Sequence, residues 1–151
     1  MTVATQFQEG PLPAAPLLKQ GGRMRLVDQV LRYDATHVET EARVQGTWPF
    51  LKDGKARALV CFELMTQSVA AYLTLMHTGS GTPLTGVPVV TRIHEVSAFV
   101  PDVRLGDVLR TDAVLDAGDH YMGIFRARVT RDGAAVAEGR FTVGQFDRVR
   151  G

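Results

Sequence analysis

Between Lys55 and His77 the chain reads KARALVCFELMTQSVAAYLTLMH, and no other stretch limits the possible folds so tightly. From Ala58 onward it holds neither Gly nor Pro and is rich in Ala, Leu and Met, which lose little freedom in a helix. Its large apolar residues (Leu59, Val60, Phe62, Leu64, Met65, Val69, Tyr72, Leu73, Leu75 and Met76) point in every direction around a cylinder. A helix that is apolar all round is buried on most sides. Advancing about 100° per residue, the polar exceptions Glu63, Gln67, Thr74 and His77 share one narrow arc, with Ala70 between them and Thr66 at its edge. A carboxylate inside so apolar a helix is costly unless it is paired or its ionisation shifts. Glu63 therefore marks either a satisfied structural carboxylate, with Gln67 one turn on as its partner, or a carboxylate held in a pocket for chemistry.

About 20 apolar residues can cross a bilayer. Here Glu63 interrupts the run and strand-like segments follow it, so no membrane span is expected. The 151 residues suit one domain with a real core. Seventeen basic against sixteen acidic side chains leave a net charge of +1, which gives no reason to expect a nucleic acid or membrane partner. Cys61 is the single cysteine, which excludes an internal disulfide and a cysteine-based metal site and fits a reducing cytoplasm. Residues 1–16 carry three prolines in six positions and no basic or apolar leader pattern, so they read as an extended lead-in. Residues 17–147 then form the one domain, and residues 148–151 a tail.

Strand signals flank the helix. RLVDQVLRY and HVETEARV are separated by Asp34-Ala35-Thr36, and in the second Val38, Thr40, Ala42 and Val44 alternate with His37, Glu39, Glu41 and Arg43. His37 lies on the polar side of that alternation and is expected at the surface. A loop, QGTWPFLKDG, carries Trp48, Pro49 and Phe50 toward the helix, and Gly79 and Pro83 are placed to end it. After Val87 the chain reads as sheet: a long run to Val100, then VLRTDAVLD, MGIFRARVT and AAVAEGRFTV. Arg131-Asp132-Gly133 is a hairpin signal between the last two. One helix with no polar side needs a sheet that curls around it, and a second subunit or flanking helix for the side left over. This is an α+β fold, a curved and mostly antiparallel sheet wrapped around one long buried central helix.

Three segments carry a resemblance to a known family. Met24 to Val30, MRLVDQV, is similar to an opening strand ending in Val-Asp-Arg-Val. Trp48-Pro49-Phe50 followed by Phe62-Glu63-Leu64-Met65-Thr66-Gln67 is similar to a His-containing loop and a Glu-x-Met-Ala-Gln helix. Val100-Pro101 with Gly106-Asp107 is a third, weaker likeness. Over residues 17–146 the chain resembles the hotdog-fold 3-hydroxyacyl-[acyl-carrier-protein] dehydratases, in the branch tied to aryl polyene and fatty-acid-type pathways. The resemblance implies elimination of water from a 3-hydroxyacyl thioester to give the trans-2-enoyl thioester. The substrate would ride on the phosphopantetheine of an acyl carrier protein or on CoA, and the protein would need no metal or cofactor of its own.

Carried onto this chain, Glu63 matches the family's acid and Gln67 the residue that orients it. Ala58 and Leu59 match the positions whose amides polarise the thioester carbonyl, and Trp48 and Phe50 fall in the substrate-binding loop. Trp48 stands where the family has its catalytic His, and an indole N–H cannot accept a proton. His94 is the candidate replacement base. His77, fourteen residues past Glu63 or about 21 Å along a helix, is too far, and His120 sits in a turn expected at the surface. Three activities follow: a dehydratase-like lyase, a non-catalytic hotdog subunit that binds acyl-carrier chains or partners an active paralogue, and an acyl thioesterase. A homodimer or a hetero-oligomer with a paralogue is expected, joined along Val87–Val100, with Lys52, Lys55 and Arg57 placed to meet an acidic carrier.

Overall fold

A computed structural model describes residues 8–19, 21–81 and 86–147. In chain order the elements are β1 (Gln8–Pro13), β2 (Gln29–Tyr33), β3 (His37–Arg43), β4 (Lys55–Arg57), α1 (Cys61–Gly79), β5 (Gly86–Ala98), β6 (Asp102–Arg104), β7 (Val108–Gly118), β8 (Met122–Arg131) and β9 (Ala134–Asp147). Seven strands form one antiparallel sheet in the order β1-β2-β3-β7-β8-β9-β5, while β4 and β6 pair separately. The sheet curls around α1, which touches β2, β3, β5, β7, β8 and β9. The segment Ala58–Gly79 is long and apolar enough to cross a membrane by length and composition, but here it is the core of the sheet.

The expected alternation holds through the meander. Val38, Thr40 and Ala42 of β3, Leu109, Thr111 and Ala113 of β7, and Phe125, Ala127 and Val129 of β8 are buried against the helix. Thr40 meets it through a hydroxyl pair with Ser68 at 2.7 Å. The Asp132-Gly133 turn has positive φ at both residues (51° and 80°), the two-residue hairpin geometry that matches strand twist. Gly139 sets how closely α1 can approach β9, since a Cβ there would stand 2.8 Å from Met65 Sδ.

Five expectations change. Residues 8–13, expected within the extended lead-in, form the sheet's edge strand on β2; the tail at 148–151 lies outside the described residues. The α-helix begins at Cys61 and not at Ala58: a 3-10 turn at Ala58–Val60 leads into it, and Lys55–Arg57 just before pairs with β6. Gly81 (φ 74°), rather than Gly79, takes the left-handed position after the helix. In β9, a register shift opposite Val129/Thr130 turns Val136 into the core, where simple alternation would have put Ala135. Finally, β2 begins only at Gln29, because the backbone before it is used elsewhere.

Candidate active site

That backbone is used by Gln67. The amides of Leu26 and Val27 donate to Gln67 Oε1 at 2.9 and 3.1 Å, and Gln67 Nε2 donates to the Met24 carbonyl at 2.7 Å and to Glu63 Oε1 at 3.1 Å. The side chain is fully buried, and all four of its hydrogen-bonding positions are filled. Only one amide orientation works. The flipped one would set N–H against N–H and oxygen against oxygen. Met24–Val27 thus leaves the sheet to hold one side chain, and that side chain holds Glu63.

Glu63 lies in the first turn of α1, where the helix dipole favours a carboxylate. Among the described residues Gln67 is its only hydrogen-bond donor and no ion pair engages it. Its other oxygen therefore retains acceptor capacity. It is half-buried and lines two cavities at once. One, of about 230 Å³, runs along α1 beneath β5. The other, of about 480 Å³, lies at the helix entrance with Phe50, Arg57, Leu59 and Phe62. Gln67 thus pairs Glu63 from one side, and cavities reach it from the other.

The remaining candidates divide. Phe50 and Leu59 line the entrance cavity and are exposed at 50% and 61%. Ala58 does not offer its amide, because that N–H donates to the Pro101 carbonyl at 3.1 Å. The Leu59 amide, next along at the helix start, makes no backbone bond outside its own turn among the described residues. Trp48 is 4% exposed and part of the core, between turns closed by Trp48 N–H to Gln45 O and Leu51 N–H to Trp48 O. It lies in the wall of neither cavity that Glu63 lines. His94 is not brought to Glu63 either. Its Nε2 is 2.8 Å from Thr142 Oγ1, and Thr142 points away from the helix because Phe141 and Val143 on either side of it are buried against the core. His94 therefore belongs to the outer face of the sheet.

His37 and His120 depart from their expected surface positions, while His77 keeps its place at the far end of the helix. His37 is half-buried and bonds Asp112 at 2.5 Å, a contact that raises its pKa against the opposing effect of burial. His77 is buried and His120 half-buried, together with Tyr72 and Gln145 at the far end of α1. Burial pushes the Cys61 thiol up to about 12, so the lone cysteine beside the helix entrance is a core side chain and not a nucleophile. Sequence reasoning missed Lys19, which shares the longer cavity with Glu63. No motif or periodicity marks it; the fold alone brings it there.

A family model described as ApeP-like, ApeP dehydratase, matches residues 12–150. The chain belongs to the ApeP-like family. Among solved structures, the dehydratase heterocomplex ApeI:P from Xenorhabdus doucetiae superposes on this family member with a TM-score of 0.84 at 23% identity, covering 91% of this chain and 93% of that one. A hypothetical thioesterase with coenzyme A from Streptococcus pneumoniae gives 0.55 at 17% identity over 75% and 80% of the two chains. The E. coli PaaI protein of the phenylacetic acid degradation operon gives 0.58 at 14% identity over 76% and 80%. These likenesses establish the hotdog fold for this ApeP-like chain. No curated protein matches it.

Proposed function

We propose that this ApeP-like chain is the acid-bearing subunit of a 3-hydroxyacyl thioester dehydratase whose base comes from a paralogous subunit. One observation carries the reading. Glu63 is clamped from behind by Gln67 and open to two cavities in front, and none of the chain's four histidines is placed beside it. A carboxyl so held can donate a proton to a departing hydroxyl but cannot also remove the α-proton. The base takes the α-proton, the Cα–H electrons form the C=C bond, and the C–O bond breaks as Glu63 protonates the leaving oxygen to water. Charge building on the thioester carbonyl meets the Leu59 amide and the positive end of α1. The two acid–base groups then return to their starting states through solvent.

Edge strand β5 is where the second subunit would join. It is 13 residues long, unpaired on its outer side among the described residues, and exposes Val89 and Ile93. A long edge with unpaired backbone groups and exposed Val89 and Ile93 is a ready surface for a further strand, although Thr91, Arg92 and Glu95 are exposed along it too. The ApeI:P heterocomplex supports a mixed pair over a homodimer. The acyl chain would arrive on an acyl carrier protein or CoA in the cytoplasm. Arg57 in the entrance wall and exposed Lys52 and Lys55 beside it suit an acidic carrier. A metal or resident cofactor has no part in this chemistry.

A non-catalytic subunit is the second reading, favoured by the core position of Trp48 and the committed amide of Ala58. The test is dehydration of 3-hydroxyacyl thioesters, followed by enoyl thioester absorbance, with the chain alone and in complex with whatever paralogue copurifies. The chain alone should be inactive and the complex active. In the complex, Glu63→Gln in this chain should cost about 10²–10⁴-fold. An unchanged rate would assign the whole reaction to the partner, and release of free thiol in place of enoyl product would make the protein a thioesterase.

A further inference from the structure

The backbone that holds Gln67 does not behave as a strand. Leu26 and Val27 are consecutive and each 1% exposed, where an alternating strand would bury only one of them. Their amides also point the same way, both onto Gln67 Oε1, whereas successive N–H groups of a strand point to opposite edges. Two neighbouring amides that converge on one point form a small concavity suited to an oxygen. It is fixed at both ends. Upstream, the Met24 and Arg25 amides donate to the Gly21 and Gly22 carbonyls. Downstream, the Asp28 amide donates to Glu41 O at 3.0 Å, and Asp28 Oδ2 accepts from the Arg43 amide at 2.8 Å.

This concavity dictates how Gln67 meets the carboxyl. With its oxygen held there, Gln67 can turn only its NH2 toward Glu63, so Glu63 Oε1 is an acceptor whether or not the carboxyl is ionised. A proton on Oε1 would face the Gln67 N–H, donor against donor. Nothing comparable constrains Oε2. The nearby Thr66 hydroxyl is spent on the Glu63 backbone carbonyl at 3.0 Å. Arg57 and Lys19, the charged side chains that share cavities with Glu63, are exposed and form no ion pair with it among the described residues.

We propose that the backbone of residues 24–27, acting through Gln67 as a positioning residue, confines the acidic proton of Glu63 to Oε2. This rests on the reading of Glu63 as the acid and goes beyond it by naming the oxygen that acts. The Oε2–H bond breaks as the proton passes to the leaving hydroxyl, and its electron pair stays on the carboxylate. The proton that reloads the acid from solvent returns to the same oxygen. With Oε1 free to take the proton, part of the population would offer the leaving hydroxyl a lone pair where it needs a donor.

Infrared difference spectra of the full chain, acidified against neutral, with those of Glu63→Gln subtracted, isolate the Glu63 C=O band. The wild type should show a single band, lowered from that of a free carboxyl by the Gln67 hydrogen bond. Two bands, one for each protonated oxygen, would overturn the proposal, and this measurement needs no variant of Gln67 to fold. Gln67→Met should raise or split the band, and an unchanged band would count equally against it. Gln67→Glu, assayed for dehydration in the complex with the paralogue, is the second test. Its new carboxyl can still accept from the Leu26 and Val27 amides, but once ionised it draws the Glu63 proton onto Oε1. Its rate relative to wild type should therefore rise about tenfold or more as the pH falls through the range where the two carboxyls titrate as a pair, with kcat and not KM carrying the change. A ratio that stays constant with pH would make Gln67 a merely structural clamp and overturn the inference. A full wild-type rate in Glu63→Gln would remove the acid reading and this inference together, whereas two bands alone would leave the acid reading standing.

Discussion

The two ends of α1 place polar side chains in one apolar helix, and they treat them in opposite ways. At the C-terminal end the polar side chains bond one another and the backbone. The Tyr72 hydroxyl donates to the Ala35 carbonyl and lies 3.0 Å from His120 Nε2, and Gln145 Nε2 donates to His77 Nε2 at 2.9 Å and to the His120 carbonyl at 3.0 Å. The donors fix both tautomers: His77 carries its proton on Nδ1, and His120 on Nε2. Rings close what remains, with Tyr121 at 5.3 Å from His77. At the N-terminal end Gln67 is fully bonded, but Glu63 is not, and its free capacity faces cavities. The first cluster ties helix to sheet by bonds among its own members; at the second, an acceptor is left over beside open space.

The largest effect that could break this contrast is on rate. Glu63→Gln should lower dehydration by the complex about 10²–10⁴-fold while leaving the urea midpoint of the chain nearly unchanged. A matching loss of stability would put Glu63 with the structural end. Gln67→Leu should fail on both counts, because Leu26 N–H, Val27 N–H and Met24 O are orphaned in the interior at about 1–3 kcal/mol each. Chemical denaturation and the rate assay should move together.

Trp48→His sharpens the comparison from the loop side. The indole is core, so its loss should cost about 3 kcal/mol or more and bring no gain in turnover. A gain in rate at unchanged stability would place the residue back in the site. At the closed end, Tyr72→Phe should cost about 1–2 kcal/mol in thermal unfolding and leave the rate of the complex alone.

The smallest expected effect is a pH dependence outside both ends. His37 has a raised pKa in the fold, chiefly through its hydrogen bond to Asp112, offset in part by burial and helped by the charges of Asp112, Asp34 and Glu39. The stability it adds is full below its ordinary value near 6.5 and is lost as pH rises through the higher folded value. Unfolding midpoints should therefore fall from mild acid toward alkaline pH, and by less in Asp112→Asn. An equal slope in both proteins would refute this assignment.

Much of this was legible in the sequence because it is periodic. Apolar positions recurring at every helical angle dictate a buried helix, and period-two alternation dictates which side of β3, β7 and β8 meets it, since each follows from side-chain direction along a regular backbone. The spacing of Glu63 and Gln67, one helical turn, likewise brought the pair together before any contact was seen. What the sequence could not say is who else each group would meet. Whether Trp48 faces a cavity or the core, whether the Ala58 amide is free or spent on Pro101, and which side of the sheet His94 takes all depend on contacts between residues far apart in the chain. Lys19 is the clearest case: it enters the Glu63 cavity only because β5, 67 residues away at Gly86, folds back beside it. Local pattern determined the elements and the Glu63–Gln67 pair; the tertiary fold decided which hydrogen bonds were already taken, and hence which groups kept capacity to spare.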